Sequence, residues 1–146
     1  MRLKVSRYFG KVLPLFVLLV ACSQERESFF SSMLAANSGI DTNIRWLLPS
    51  LPESSSNFRQ IVDFTSGFAQ VTFSFDAGFK GQLHESCTKI ASYDYFPPPP
   101  LKAAWWNETD FRSENEVFRC GKGESTLFLA MSRKSGKGYL WSLGHG

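Results

Sequence analysis

Between Phe58 and Phe75 the apolar residues keep to every second position. Phe58, Val62 and Phe64 share one parity, and after Ser66-Gly67 the residues Val71, Phe73 and Phe75 alternate with Gln70, Thr72 and Ser74. A strand sends successive side chains to opposite faces, so this pattern predicts an antiparallel hairpin with one face on a core. The C-terminal third repeats the pattern in Val117-Phe118-Arg119-Cys120, in Thr126 to Arg133 and in Tyr139 to Leu143. In the middle stretch Leu127, Leu129 and Met131 face one way while Phe128 and Ala130 face the other, which marks a central strand. Lys134-Ser135-Gly136-Lys137-Gly138 reads as the hairpin loop joining the last two strands.

Two helices are predicted beside these strands. Phe79, Leu83, Cys87 and Ile90 recur at helical spacing after Asp76, a good cap, although Gly78 and Gly81 each weaken such a helix by about 1 kcal/mol relative to Ala. Phe29, Phe30, Met33 and Leu34 suggest a shorter helix ending near Asn37-Ser38-Gly39, with the Phe pair packing on the domain. The expected fold class is therefore α+β: a mostly antiparallel sheet of about five strands carrying one main helix on one face.

The N-terminus carries a different message. Arg2, Lys4, Arg7 and Lys11 accompany an apolar run from Val12 to Ala21, with no acidic residue before Glu25. This is the layout of a secretory signal, and a run of about ten residues is too short to span a hydrocarbon core that needs about twenty. Leu19-Val20-Ala21-Cys22 then resembles the lipobox of bacterial lipoproteins, and polar Ser23-Gln24-Glu25-Arg26-Glu27 follows. The resemblance implies that Cys22 becomes the mature first residue, bearing a diacylglyceryl thioether and an acylated amino group. Each buried methylene contributes about 0.8 kcal/mol, so several chains on one residue anchor firmly without a spanning helix. In the family's sorting habit, Ser23 after the cysteine points to the outer membrane, facing the periplasm. The alternative is an ordinary cleaved signal that stops at Ala21-Cys22.

On this reading residues 1–21 are the signal, 22–28 a lipidated tether and 29–146 a single domain. The signal holds four of the 16 basic residues and none of the 13 acidic ones, leaving 12 against 13. The basic balance of the whole chain is thus an export feature, and no nucleic-acid partner is expected.

Cys87 and Cys120 remain after Cys22 is assigned to lipid. In an oxidising compartment they are expected to pair, stapling the predicted helix to the sheet; two buried free thiols are the alternative. His84, three residues from Cys87, raises a runner-up reading of a periplasmic cysteine-dependent hydrolase, but no orienting carboxylate or glycine-rich oxyanion loop accompanies the pair. A zinc site of His84, Cys87, Cys120 and His145 lacks paired ligand spacing. The acidic residues Glu108, Asp110, Glu114 and Glu116 lack the spacing of a cation loop and read as a solvated loop. No cofactor or metal is expected.

Tyr95 to Trp106 reads YFPPPPLKAAWW. Four prolines favour a stiff polyproline II rod of about 12 Å, which suits either a ligand for an aromatic groove or a strut across the chain's own domain. The strut is the favoured reading, with one tryptophan covering the core; Tyr95, Phe96, Trp105 and Trp106 are the candidate residues for contact with a partner. The whole layout resembles small bacterial envelope lipoproteins, which implies a lipid-anchored, non-enzymatic binding or structural role whose partners are the membrane, through Cys22, and another envelope protein. A small-ligand carrier would instead require a sizeable apolar cavity.

Overall fold

A computed structural model describes residues 24–83, 85–91, 97–107, 116–122 and 125–143. The elements run in the order β1 (Glu25–Ser32), α1 (Met33–Gly39), α2 (Thr42–Arg45), a 3-10 turn (Leu48–Ser50), β2 (Ser56–Asp63), β3 (Phe68–Ser74), β4 (Cys87–Ile90), β5 (Glu116–Lys122), β6 (Ser125–Ser132) and β7 (Lys137–Ser142). All seven strands join one sheet in the order β1-β2-β3-β7-β6-β5-β4, and every neighbouring pair is antiparallel. Two meanders, β1-β2-β3 and β4-β5-β6-β7, therefore meet at the β3·β7 pairing in the middle of the sheet.

The five strands expected from alternation are all present. Phe64–Gly67 turns β2 into β3, with Gly67 at φ 72°, and Arg133–Gly136 turns β6 into β7, where Ser132 pairs with Lys137. Gly136 takes φ 64° against the carbonyl of Phe75, a position that an L side chain would strain. β6 lies between β5 and β7 and is buried along most of its length, as its two apolar faces require.

The expected α+β arrangement with one main helix is corrected by two further strands and by the absence of that helix. Cys87–Ile90 is the edge strand β4, and residues 76–83 cross the sheet without regular structure. Phe79, Leu83 and Cys87 do pack on one core, but Ile90 packs on the opposite side of the sheet, which a single helical stripe would not allow. Likewise Phe29 and Phe30 belong to strand β1 rather than to a helix, and α1 begins only at Met33. Strand alternation splits the pair. Phe30 packs against Gly39, where a Cβ would collide with its ring, and Phe29 is left 60% exposed. Residues 25–28, placed by composition in the tether, open β1.

The sheet is covered on both sides. On the helix face, Phe58, Val71, Phe73, Leu129, Met131 and Leu140 pack beneath Ala36, Ile40, Ile44, Leu47, Leu48 and Leu51. The short helices are held by specific bonds: the Ser32 hydroxyl accepts from the Ala35 amide at 3.3 Å, and the Asp41 carboxylate accepts from the Asn43 amide at 2.9 Å. Buried Gln60 ties them to β2, its side-chain oxygen accepting from the Asp41 amide at 2.7 Å. Such helices are too short to stand alone, so the apolar seam beneath them supplies their stability. On the opposite face Val117, Phe128, Ala130, Tyr139 and Trp141 form a second cluster.

Candidate functional site

The second cluster needs a cover, and the proline segment provides it. Residues 97–107 cross this face as a strap. The Trp141 indole N–H donates to the Pro97 carbonyl at 3.3 Å, and the Leu101 amide donates to the side-chain oxygen of Gln70. Gln70 is fully buried although it sits at a position that alternation assigns to the polar side of β3. The strap explains this, because a buried amide N–H needs an acceptor and Gln70 is that acceptor. Leu101 closes over the same region and is itself 8% exposed.

Trp106 completes the cover. Its ring meets Tyr139 edge-on at 5.2 Å and Trp141 edge-on at 5.9 Å, and Trp141 stacks on Phe128 at 5.6 Å. Trp105 leans on Trp106 at 6.1 Å and stays half-buried. The proline segment thus lies across its own domain, with Trp106 turned inward and Trp105 at the margin. A shallow cleft of about 400 Å³ remains along the strap, lined by Pro99, Pro100, Lys102, Trp106 and Asn107. Tyr95 and Phe96 lie outside the described residues.

Cys87 and Cys120 face each other across the β4·β5 ladder with their sulfurs 2.05 Å apart, at disulfide distance. The bridge joins two neighbouring strands, which corrects the expected helix-to-sheet staple; the pairing partner was read from the residues, but the element carrying Cys87 was not. Cys120 is fully buried. The loop closed by this bridge contains the whole strap, because residues 97–107 lie between β4 and β5 in sequence.

Of the acidic residues singled out in the sequence, Glu116 is described, and Glu108, Asp110 and Glu114 lie outside the described residues. Glu116 is an ion-pair centre: its carboxylate meets the Lys89 ammonium at 2.7 Å and the Arg133 guanidinium. The bond from Lys89, then that from Arg133, holds its carboxyl below the usual range, outweighing the modest burial that opposes ionisation. Arg133 also donates to the Phe79 carbonyl and lies over the Phe79 ring at 5.5 Å, which pins segment 76–83 to the sheet. His84, His145 and Cys22 lie outside the described residues. Among the described residues no three His, Cys, Asp or Glu side chains converge as a metal site would require.

An open trough of about 1000 Å³ lies between residues 49–54 and 76–83, bordered by Pro49, Leu51, Pro52, Asp76, Phe79 and Leu83. No helix among the described residues is long and apolar enough to cross a membrane. The residues that sequence reasoning missed are Gln70 and Trp141. Both sit in strands, and Gln70 reads there as one more polar residue in the alternation with Thr72 and Ser74, so the sequence carries no signal that sets it apart. In comparison with known proteins, no family model, no curated protein and no solved structure matches this chain.

Proposed function

We propose that this chain is a lipid-anchored protein of the bacterial cell envelope, facing the periplasm from the outer membrane, with a non-enzymatic binding or structural role. One observation carries the reading: a basic start, a ten-residue apolar run and Leu19-Val20-Ala21-Cys22 stand directly before a folded sheet that begins at Glu25. The cysteine pair at disulfide distance agrees with an oxidising compartment. A sulfur engaged in such a bridge has no thiolate with which to attack, and this counts against a hydrolase built on Cys87.

Contact with another envelope component falls to two surfaces. The first is the outer side of the strap, with Trp105 and Lys102. The second is the free edge of β1, eight residues long, where Glu25, Arg26 and Glu27 discourage indiscriminate strand pairing. The anchor is tested by growth with labelled palmitate and by membrane fractionation of Cys22→Ser. Label on the native chain and none on the variant, which leaves the membrane fraction, is the expected result. A variant that matures and fractionates like the native chain, with no label on either, overturns the reading.

A further inference from the structure

The lipid anchor, if it sits on Cys22, leaves almost no chain between bilayer and sheet. Cys22 stands two residues before Gln24, a reach of at most about 7 Å, and β1 begins at Glu25. The Gln24 carbonyl accepts a hydrogen bond from the Phe64 amide at 3.4 Å, so the β2–β3 turn lies where the chain enters the fold.

That turn is firmly built. The Asp63 carboxylate accepts from the Thr65 amide at 2.9 Å and from the Ser66 hydroxyl at 2.6 Å. The Gly67 amide closes the turn on the Asp63 carbonyl at 2.9 Å. Yet the side chain the turn presents has little cover: Phe64 is 58% exposed. The end of β7 lies at the same level of the sheet, since the Ala69 amide bonds the Ser142 hydroxyl at 3.1 Å, and this puts Leu143, 39% exposed, on the same rim. Leu34, 79% exposed, follows Ser32 at the far end of β1. Eight residues of strand, roughly 25 Å, separate that end from the rim.

We infer that the rim carrying Phe64 and Leu143 rests in the headgroup layer of the bilayer that holds the anchor, so that the strands run away from the membrane. This inference rests on the lipid-anchor reading above. A lipid surface is the occupant because a two-residue leash leaves no space for a protein layer between the acyl chains and this rim. Apolar side chains at such a boundary bury their surface among headgroups and upper acyl segments, which adds to the anchor and fixes the orientation. The far end of the sheet, with Leu34, then projects into the aqueous space, while Pro97 and Leu101 of the strap stay near the rim through Trp141 and Gln70.

The test uses the mature full chain, purified with its lipid and reconstituted into vesicles of phosphatidylethanolamine and phosphatidylglycerol labelled in the phosphate. Photoreactive p-benzoylphenylalanine replaces Phe64, Leu143 or, as the control, Leu34. After irradiation, labelled lipid is expected on positions 64 and 143 at several-fold the yield at position 34. Yields at 64 and 143 no higher than at 34, or chain-to-chain adducts in place of lipid, overturn the orientation. Intact mass of the same samples separates this from failure of the anchor: acyl chains present on Cys22 mean that only the orientation falls, and acyl chains absent mean that both fall.

Discussion

The two faces of this sheet are closed by different means. On the helix face the cover comes from segments adjoining the strands they protect, and its contacts are aliphatic and numerous, from Ala36 to Leu51 over Phe58, Phe73 and Leu140. On the opposite face the cover among the described residues is the strap of residues 97–107, set by prolines, Trp106 and directed hydrogen bonds that include those to Gln70 and from Trp141. A broad apolar seam stabilises through area and tolerates local rearrangement. A narrow strap has little area, so it depends on the small loss of freedom of a polyproline segment and on the satisfaction of buried polar groups.

If that contrast is right, truncation on the helix face is the most damaging change. Phe58→Ala should lower stability by about 3 to 5 kcal/mol and Trp106→Ala by clearly less, because Phe58 is fully buried and Trp106 is half-buried. Urea denaturation of both variants measures this, and equal losses would break the comparison. Next is the bridge. The Cys87→Ser, Cys120→Ser double variant should lose about 3 to 4 kcal/mol in the chain-entropy model, because the bridge closes a loop that contains the strap. Its tryptophan emission should also shift to the red as water reaches Trp106 and Trp141; a stability loss with unmoved emission would uncouple bridge and strap.

Smaller again is Gln70→Leu, expected to cost about 1 to 3 kcal/mol, since the Leu101 amide would be left in a buried site without its acceptor. Hydrogen exchange at Leu101 checks the cause: the amide should exchange faster in this variant while helix-face amides stay protected. The smallest effect concerns Glu116, which joins β5 to Lys89 of β4 and to Arg133 of the β6–β7 turn. Its folded pKa lies below the unfolded value, for which 4.5 is the reference, so its contribution is present above that pH and is lost as pH falls through the folded value. Glu116→Gln should therefore cost about 0 to 1 kcal/mol at neutral pH, as partly exposed ion pairs do, and should flatten the acid limb of a plot of urea midpoint against pH. An unchanged acid limb would show that the ion pairs at this carboxylate add nothing to the bracing of the β4 edge.

The central strands were legible because burial on one face writes a period of two into β3, and burial on both faces writes near-continuous apolar runs into β6 and β7. The edges were not. β1 reads ERESFFSS, polar almost throughout, because an edge strand facing solvent has little apolar surface to hide. β4 is four residues long, too short to show a period, and it was absorbed into a helical spacing that segment 76–83 imitates by packing Phe79 and Leu83 while crossing the sheet. In the strap the placement of the proline segment across its own domain and the inward tryptophan were foreseen, whereas Gln70 and Trp141 were not, because their partners lie 31 and 44 residues away along the chain.

Local pattern alone thus determined the hairpins, the doubly buried β6 and the presence of a proline segment, since each of these depends on neighbours within a few residues. Only the tertiary structure decided that β3 pairs with β7, that Cys87 faces Cys120 across adjacent strands, and which face the strap covers. Those arrangements depend on which distant surfaces find one another when apolar area and buried amides must be covered together, and no short stretch of chain records that choice.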